Sequence, residues 1–277
     1  MTAALQPADR TQVLVEALPY IRRFLGSTVV VKFGGNAMID AELARTFAED
    51  IVLLHAVGIR PVVVHGGGPQ ISELMGRLGK VPEFVEGQRV TDAETLEIVR
   101  MVLVGKVGRD IVGSINVHGP LAVGLSGEDA GLIVATPRDP SLGFIGDVVE
   151  VNPAIVERLL AEQLIPVVST IGSDPTGQAY NINADAVAGA LAGALGATKV
   201  LYLTDVPGVL ADVDDPTSLI AELTPTAIAA LRADGTIAGG MIPKTEACVD
   251  ALGRGAGAAH LLDGLSLIHI SEPTRPY

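Results

Sequence analysis

Hydrophobic and polar positions along this chain switch repeatedly between two rhythms. Continuous runs rich in Val, Ile and Leu occupy 28–33, 61–65, 121–125, 132–136, 165–171, 199–204 and 259–262. Unbroken apolarity over so short a stretch predicts a strand buried on both faces, whereas a strand with one wet face alternates. Between these runs the apolar residues recur at helical spacing. Asp40 caps a predicted helix whose Leu43, Phe47, Ile51 and Leu54 share a face, and Gly58 closes it. Thr91-Asp92-Ala93-Glu94 reads as a capping box ahead of a helix through Leu96, Val99, Val102 and Leu103. Asn152-Pro153 starts another helix, and 183–195 is a helix of small residues suited to close contact with a sheet. Strand and helix in alternation imply right-handed crossovers and a mostly parallel sheet covered on both faces. The expected fold class is α/β, a three-layer αβα sandwich in two lobes.

The pattern also divides the chain. A Gly/Ala-rich helix gives way to a new strand near 193–199, which predicts a larger lobe over 27–195 and a smaller one over 196–264. Before them, 1–26 carries an amphipathic helix with Leu14, Ala17, Leu18, Ile21 and Leu25 on one side. That side can pack on its own lobe or meet a partner subunit. The last stretch, 265–277 (LSLIHISEPTRPY), does not continue the pattern and reads as a non-native tail.

Composition narrows the function. The net charge is −13 and aromatic residues make up 3% with no Trp. A phosphate-backbone binder needs a basic field, and a single-strand binder needs stacking rings, so nucleic acid is not an expected partner. No apolar run reaches the roughly 18 residues of a membrane span, and no leader pattern opens the chain. A soluble, cytoplasmic protein is expected. The single cysteine, Cys248, fits a reducing compartment and lies in an apolar helical stretch, where it reads as a buried spectator.

In so acidic a chain, cations set within glycine-rich segments carry weight. Lys32-Phe33-Gly34-Gly35 ends one buried strand, and His65-Gly66-Gly67-Gly68-Pro69 ends the next. Glycines let backbone N–H groups approach an anion, and a helix N-terminus with Pro in its first turn leaves such groups free. A strand-end lysine can also be merely solvated, but two such loops on successive strands point to an anion site. His65 reads as a structural imidazole rather than a base. Arg89, just before a capped helix, either recognises a carboxylate or pairs with a nearby acid. Asn181, Asn183 and Asp185 surround a helix start, where either amide could be the cap. Gly239-Gly240 precedes a second lysine, Lys244, and Asp205-Val206-Pro207-Gly208-Val209-Leu210 is a strand end and turn able to cradle a nucleotide. Walker-type and dinucleotide glycine motifs are absent from the sequence. Two lysines with backbone amides from two loops suit phosphoryl transfer to a carboxylate, where charge neutralisation dominates and no base is needed.

The motifs KFGGNAM, HGGGPQI, GQRVTD, GLSGED, YNINADAVAGALAGALGA, LYLTDVPGVL and GGMIPK, in this order, resemble the amino acid kinase family over about residues 10–264. The resemblance implies the amino acid kinase fold and transfer of the γ-phosphoryl group of ATP to an acidic acceptor. N-acetyl-L-glutamate is the first choice, with N-acetyl-aminoadipate, aspartate or carbamate as alternatives. A non-catalytic arginine or nucleotide sensor is the reading from another class. By resemblance, Lys32 and Lys244 stabilise the transferring group, Asp185 organises both, and Gly35 and Gly67 donate N–H groups to it. Gly67, Gly68, Arg89 and Asn181 match acceptor-binding positions, with Arg89 on the α-carboxylate. Asp205, Val206, Pro207, Gly208, Val209 and Leu210, together with Thr236, Ile237 and Ala238, match nucleotide-binding segments. Mg²⁺ is implied as held mainly by ATP oxygens and water, with no protein ligand assigned. The N-terminal helix is similar to one that interlaces dimers into a hexamer in arginine-inhibited members. The 265–277 tail replaces the part that would complete an arginine pocket.

Overall fold

The computed structural model describes residues 7–264 except 86, 207 and 216. The expectations for Pro207, for the first six residues and for the 265–277 tail lie outside the described residues. An N-terminal helix α1 (Pro7–Phe24) leads into strand β1 (Thr28–Phe33), a 3-10 turn (Gly35–Met38), α2 (Ala41–Ala56), β2 (Arg60–His65) and α3 (Gly68–Arg77). A two-strand hairpin follows, β3 (Phe84–Val85) and β4 (Gln88–Arg89). Next come α4 (Ala93–Arg100), a π-helical segment (Met101–Val107), α5 (Gly108–Asn116), β5 (Ala122–Ser126), β6 (Ile133–Pro137), β7 (Ile145–Val151) and α6 (Ala154–Ala161). The remainder is β8 (Ile165–Ser169), β9 (Ile171–Ser173), β10 (Ala179–Ile182), α7 (Ala184–Ala194), β11 (Lys199–Thr204), α8 (Pro225–Ala233), α9 (Met241–Gly253) and β12 (Ala259–Asp263).

Six strands form one sheet in the order β12-β11-β1-β2-β8-β5, and every pairing in it is parallel. Successive side chains on a strand point to opposite faces, and the two cores show it. Val29, Val31, Phe33 and Val63 join Ile51, Met75, Val99 and Ile111 on one face. Val30, Val62 and Val64 join Val156, Val187, Leu191 and Ala251 on the other. This is the three-layer sandwich, with buried runs where continuous apolarity predicts them. The sheet is shared by both expected lobes, since β1 pairs with β2 on one side and β11 on the other.

Three local expectations are corrected. The 165–171 run is two strands. β8 pairs with β2 and β5 in the main sheet, whereas β9 turns away to pair with β6 and β10. With β7 these short strands close a small mixed ring, β10-β7-β6-β9. Both halves of the run are buried, so its apolarity hides the break. The α4 cap is Asp92, whose carboxylate accepts from Thr95 N at 2.8 Å; Thr91 instead donates its hydroxyl to the Arg89 carbonyl at 2.9 Å. The predicted helix beyond α4 continues, but through a π-helical segment. Two other caps form as expected: Asp40 accepts from Glu42 N and Leu43 N, and Gly58 takes φ of 83° after α2. Cys248 is buried, and desolvation pushes its thiol up to about 12, which keeps it protonated and inert.

Candidate active site

Both glycine loops lie at the C-terminal ends of adjacent strands, where an open α/β sheet offers its crevice. β1 and β2 run in register from Thr28 opposite Arg60 to Phe33 opposite His65, so Gly34-Gly35 and Gly66-Gly67-Gly68 leave the sheet side by side. Gly66 N donates to the Phe33 carbonyl at 3.3 Å, which ties the loops together. Gly35 has φ of 72°, and a Cβ there would stand 2.9 Å from Asp205 Oδ1. Both facts favour glycine, and the second brings the end of β11 against the first loop. Helix α3 starts at the second loop with Gly67 as its cap, Pro69 in its first turn and no side-chain cap. Its first N–H groups have no carbonyls one turn earlier to bond, and its dipole presents a positive end.

A cleft of about 350 Å³ opens above these loops. Lys32, Gly34, Gly35, Gly67, Gly68, Arg89 and Asn181 all line it. The Lys32 ammonium lies 3.0 Å from Asp185 Oδ1, with both side chains largely buried at 13% and 20% exposure. Asp185 reaches this place because Asn183 caps α7, accepting from Asp185 N at 2.8 Å and Ala186 N at 3.3 Å. That settles the choice of cap, and Asn181 is left on β10 facing the cleft.

Arg89 is a second cation of the cleft lining. It is buried, donating to the Gly68 carbonyl at 3.0 Å, Ser72 Oγ at 2.8 Å and Met75 Sδ at 3.2 Å, with its guanidinium 4.8 Å from the Phe84 ring centroid. Each of these partners is uncharged. Desolvation lowers its pKa, and a guanidinium fixed this way by neutral groups gains most from an incoming carboxylate. Asn181 Nδ2 donates to Thr91 Oγ1 at 3.3 Å, and through Thr91 it is tied to the Arg89 strand. His65 is fully buried with Nδ1 bonded to Gly66 O at 2.9 Å, and burial lowers its pKa to about 4. It is neutral at pH 7 and holds the loop, in line with the structural reading.

Lys244 and the nucleotide segments lie outside the lining of this cleft. Lys244 occupies the first turns of α9. Helices α7 and α9 run side by side in the same direction: Gly189 abuts Ala251 and Gly193 abuts Arg254, while the Tyr202 hydroxyl lies 3.4 Å from Asp185 O and 3.2 Å from Ala247 O. The start of α9 therefore comes up beside the start of α7, toward Asp185. Val206 turns back on β11, its N–H donating to Thr204 Oγ1 at 3.1 Å and its carbonyl accepting from that hydroxyl at 2.8 Å. Val209 and Ile237 bury their side chains together in a small separate core with Ile228. Their backbones are tied within the fold, the Val209 carbonyl accepting from Ile220 N at 2.9 Å and Ile237 N donating to the Leu231 carbonyl at 2.8 Å. Gly208 packs against Leu219, Leu210 bridges to Leu219, Thr236 N donates to Asp234 Oδ1 at 3.0 Å, and the Ala238 carbonyl accepts from Met241 N at 3.1 Å. Sequence reasoning missed Arg138 and Thr170, which also line the cleft. Among the described residues, no three His, Cys, Asp or Glu side chains gather as a metal site requires, and no helix is long and apolar enough to cross a membrane.

Comparison with known proteins gives a consistent picture. The model of the amino acid kinase family matches residues 27–263. An acetylglutamate kinase from Moorella thermoacetica is 52% identical over 271 residues, covering 94% of this chain and 92% of that one. Among solved structures, the N-acetylglutamate synthase of Neisseria gonorrhoeae superimposes with a TM-score of 0.79 at 24% identity, over 92% of this chain; this chain spans 58% of the synthase's length. The carbamate kinase of Giardia lamblia bound to AMP-PNP superimposes with a TM-score of 0.66 at 20% identity, over 86% of this chain and 93% of that one. These last two likenesses are of fold.

Proposed function

The chain belongs to the amino acid kinase family, and from that premise we propose that it transfers the γ-phosphoryl group of ATP to the side-chain carboxylate of N-acetyl-L-glutamate, an early step of arginine synthesis. The observation that carries this reading is the pairing of charges across one cleft. A lysine paired with Asp185 and a buried guanidinium with uncharged partners line the same cleft. A dicarboxylate placed between them has a cation for each end.

The chemistry follows from the charges. The acceptor carboxylate is already ionised at pH 7, so it attacks without a base. Negative charge on the transferring group is met by Lys32 and by the N–H groups of Gly35 and Gly67, with Lys244 completing the field from the start of α9. Asp185 fixes the Lys32 ammonium and orients Lys244. Arg89 holds the α-carboxylate, helped by Asn181, Gly67 and Gly68, which positions the reacting carboxylate. ATP lies against Asp205, Val206, Pro207, Gly208, Val209 and Leu210 and against Thr236, Ile237 and Ala238. The divalent cation, Mg²⁺ in this reading, travels with the ATP oxygens and water. It would screen the phosphate charge, with no protein ligand assigned to it.

We assign acceptor binding to 27–195 and ATP binding to 196–264. We also propose a cytoplasmic hexamer built through α1, with arginine as effector. Val15 and Leu18, three residues apart on α1 and so on one side of it, are exposed and offer apolar surface for it. Sedimentation of the intact chain, with and without arginine, tests the assembly. The activity itself is tested by trapping the acyl phosphate with hydroxylamine, using ATP, Mg²⁺ and a panel of acidic acceptors. Turnover with N-acetyl-L-glutamate above aspartate, carbamate and N-acetyl-aminoadipate is expected. A folded protein that turns over none of it, or turns over a non-acetylated acid faster, overturns the assignment.

A further inference from the structure

The cleft lining carries three side-chain cations, Lys32, Arg89 and Arg138, and no carboxylate, in a chain of net charge −13. The proposed reaction uses the first two. Arg138 follows the last residue of β6, and its backbone N–H donates to the Ile145 carbonyl at 3.0 Å, closing the hairpin to β7. Its Nε donates to Asp147 Oδ1 at 2.8 Å and its Nη2 bonds the same oxygen. The pair is too exposed, at 33% and 44%, for its attraction to matter much to folding. What it does is fix a long, mobile side chain at a defined place. β7 pairs in turn with β10, with Ile145 opposite Asn181. The hairpin therefore sets Arg138 over the acceptor side of the cleft, not over the segments assigned to ATP.

We propose that Arg138 is a specificity-determining residue that contacts the non-reacting carboxylate of the acceptor, and that Asp147 positions it there. The inference rests on the dicarboxylate reading above. Arg89, locked among neutral partners, supplies the deep contact, while Arg138 at the rim supplies a second charge-assisted donor that an acceptor with only one carboxylate cannot use. Half-neutralised by Asp147, it still favours an anion entering an otherwise acidic protein.

The test uses the full chain and the variants Arg138→Gln, Arg138→Lys and Asp147→Asn. Steady-state constants are measured for N-acetyl-L-glutamate and ATP. Inhibition constants are measured for 4-acetamidobutanoate, the same molecule without its α-carboxylate. Arg138→Gln is expected to raise the acceptor KM about tenfold, the effect of one charge-assisted hydrogen bond. Its kcat should stay within about threefold and its ATP KM within about twofold of wild type, and the 4-acetamidobutanoate Ki should be unchanged. Arg138→Lys and Asp147→Asn should raise the acceptor KM by about threefold each, since one loses the fork and the other its anchor. An unchanged acceptor KM in Arg138→Gln overturns the proposal, as does an equal loss on 4-acetamidobutanoate or a matching rise in ATP KM. If circular dichroism shows Arg138→Gln unfolded, the other two variants decide by the same criteria. Wild-type protein that does not phosphorylate N-acetyl-L-glutamate removes the functional reading and this inference together; an active wild type with indifferent variants removes the inference alone.

Discussion

Replacing Gly67 by alanine tests how tightly the fold holds its anion loop. The backbone permits the change, because Gly67 has φ of 177°, an extended value open to any residue. The obstacle is space. A Cβ at Gly67 would lie 2.7 Å from Leu103 Cδ2 and 3.2 Å from Val107 Cγ2. Relaxed carbon contacts are about 3.5–4.0 Å, so the overlap with Leu103 is about 1 Å. Leu103 and Val107 are 2% and 3% exposed in the π-helical segment, so a new methyl must press on packed side chains, with relief only where Leu103 borders the cleft. Overpacking of this kind costs about 1–3 kcal/mol. The loop is the softer partner, and backing off by about 1 Å would lower kcat on the order of 100-fold. Urea unfolding and the hydroxylamine assay read the two effects separately. Gly68→Ala is the control for stability, since a Cβ there meets nothing within 4 Å and should cost under about 0.5 kcal/mol. Adding Leu103→Ala to Gly67→Ala should show a favourable coupling above about 1 kcal/mol, because the cavity admits the new methyl. A Gly67→Ala protein of wild-type stability and kcat would refute the reasoning.

Asp185→Asn removes the carboxylate 3.0 Å from the Lys32 ammonium. Leaving that ammonium alone in a largely buried place should cost about 3 kcal/mol by denaturant unfolding and reduce kcat on the order of 10²–10³-fold; a loss below about tenfold contradicts the orienting role. Arg89→Lys keeps the charge but not the fork to Ser72 and Gly68, and should raise the acceptor KM by about 10–100-fold while sparing that of ATP. Equal kinetics in that variant would mean a point charge suffices. Burial pushes His65 and His260 down from 6.5 to about 4, so the unfolded chain binds more protons between those values. Their contribution to stability is complete above pH 6.5 and is lost as pH falls toward 4, about 2 kcal/mol each by pH 5. Unfolding free energies at pH 7.5 and 5 check this, and a flat profile would show that both imidazoles charge freely in the folded protein.

The sequence was most legible where one physical constraint dominated. β1 and β11 fall at the predicted limits because a strand buried on both faces must be apolar throughout, and the glycine loops were visible because they interrupt such runs. Legibility failed where residues of one type serve two purposes. Ser169 and Ile171 are equally buried although they belong to different sheets, so nothing in their polarity marks the turn at Thr170. Thr91 and Asp92 are both good caps, and what decides is that the Thr91 hydroxyl is used elsewhere, donating locally to the Arg89 carbonyl and accepting from Asn181 across the fold. Arg138 was invisible as a cleft residue because the ring pairing of β6, β7 and β10 places it there, and those strands are short with little periodicity to read.

The small-residue character of α7 ties these levels together. Gly189 lets the helix approach Tyr202 and Ala251, where an added Cβ would lie 3.0 Å from the tyrosine hydroxyl and 3.2 Å from Ala251 Cβ. At Gly193 a Cβ would lie 2.6 Å from the Arg254 carbonyl oxygen. With larger residues at these points α9 could not lie alongside α7, and the starts of the two helices would separate. Those starts carry Asp185 and Lys244, while Tyr202, opposite Lys32 in the sheet register, reaches a carbonyl of each helix. A composition that looks like simple economy of side chains is thus what sets the start of α9, which carries Lys244, beside the start of α7, which carries Asp185. The charge arrangement at the cleft depends on side chains that carry no charge at all.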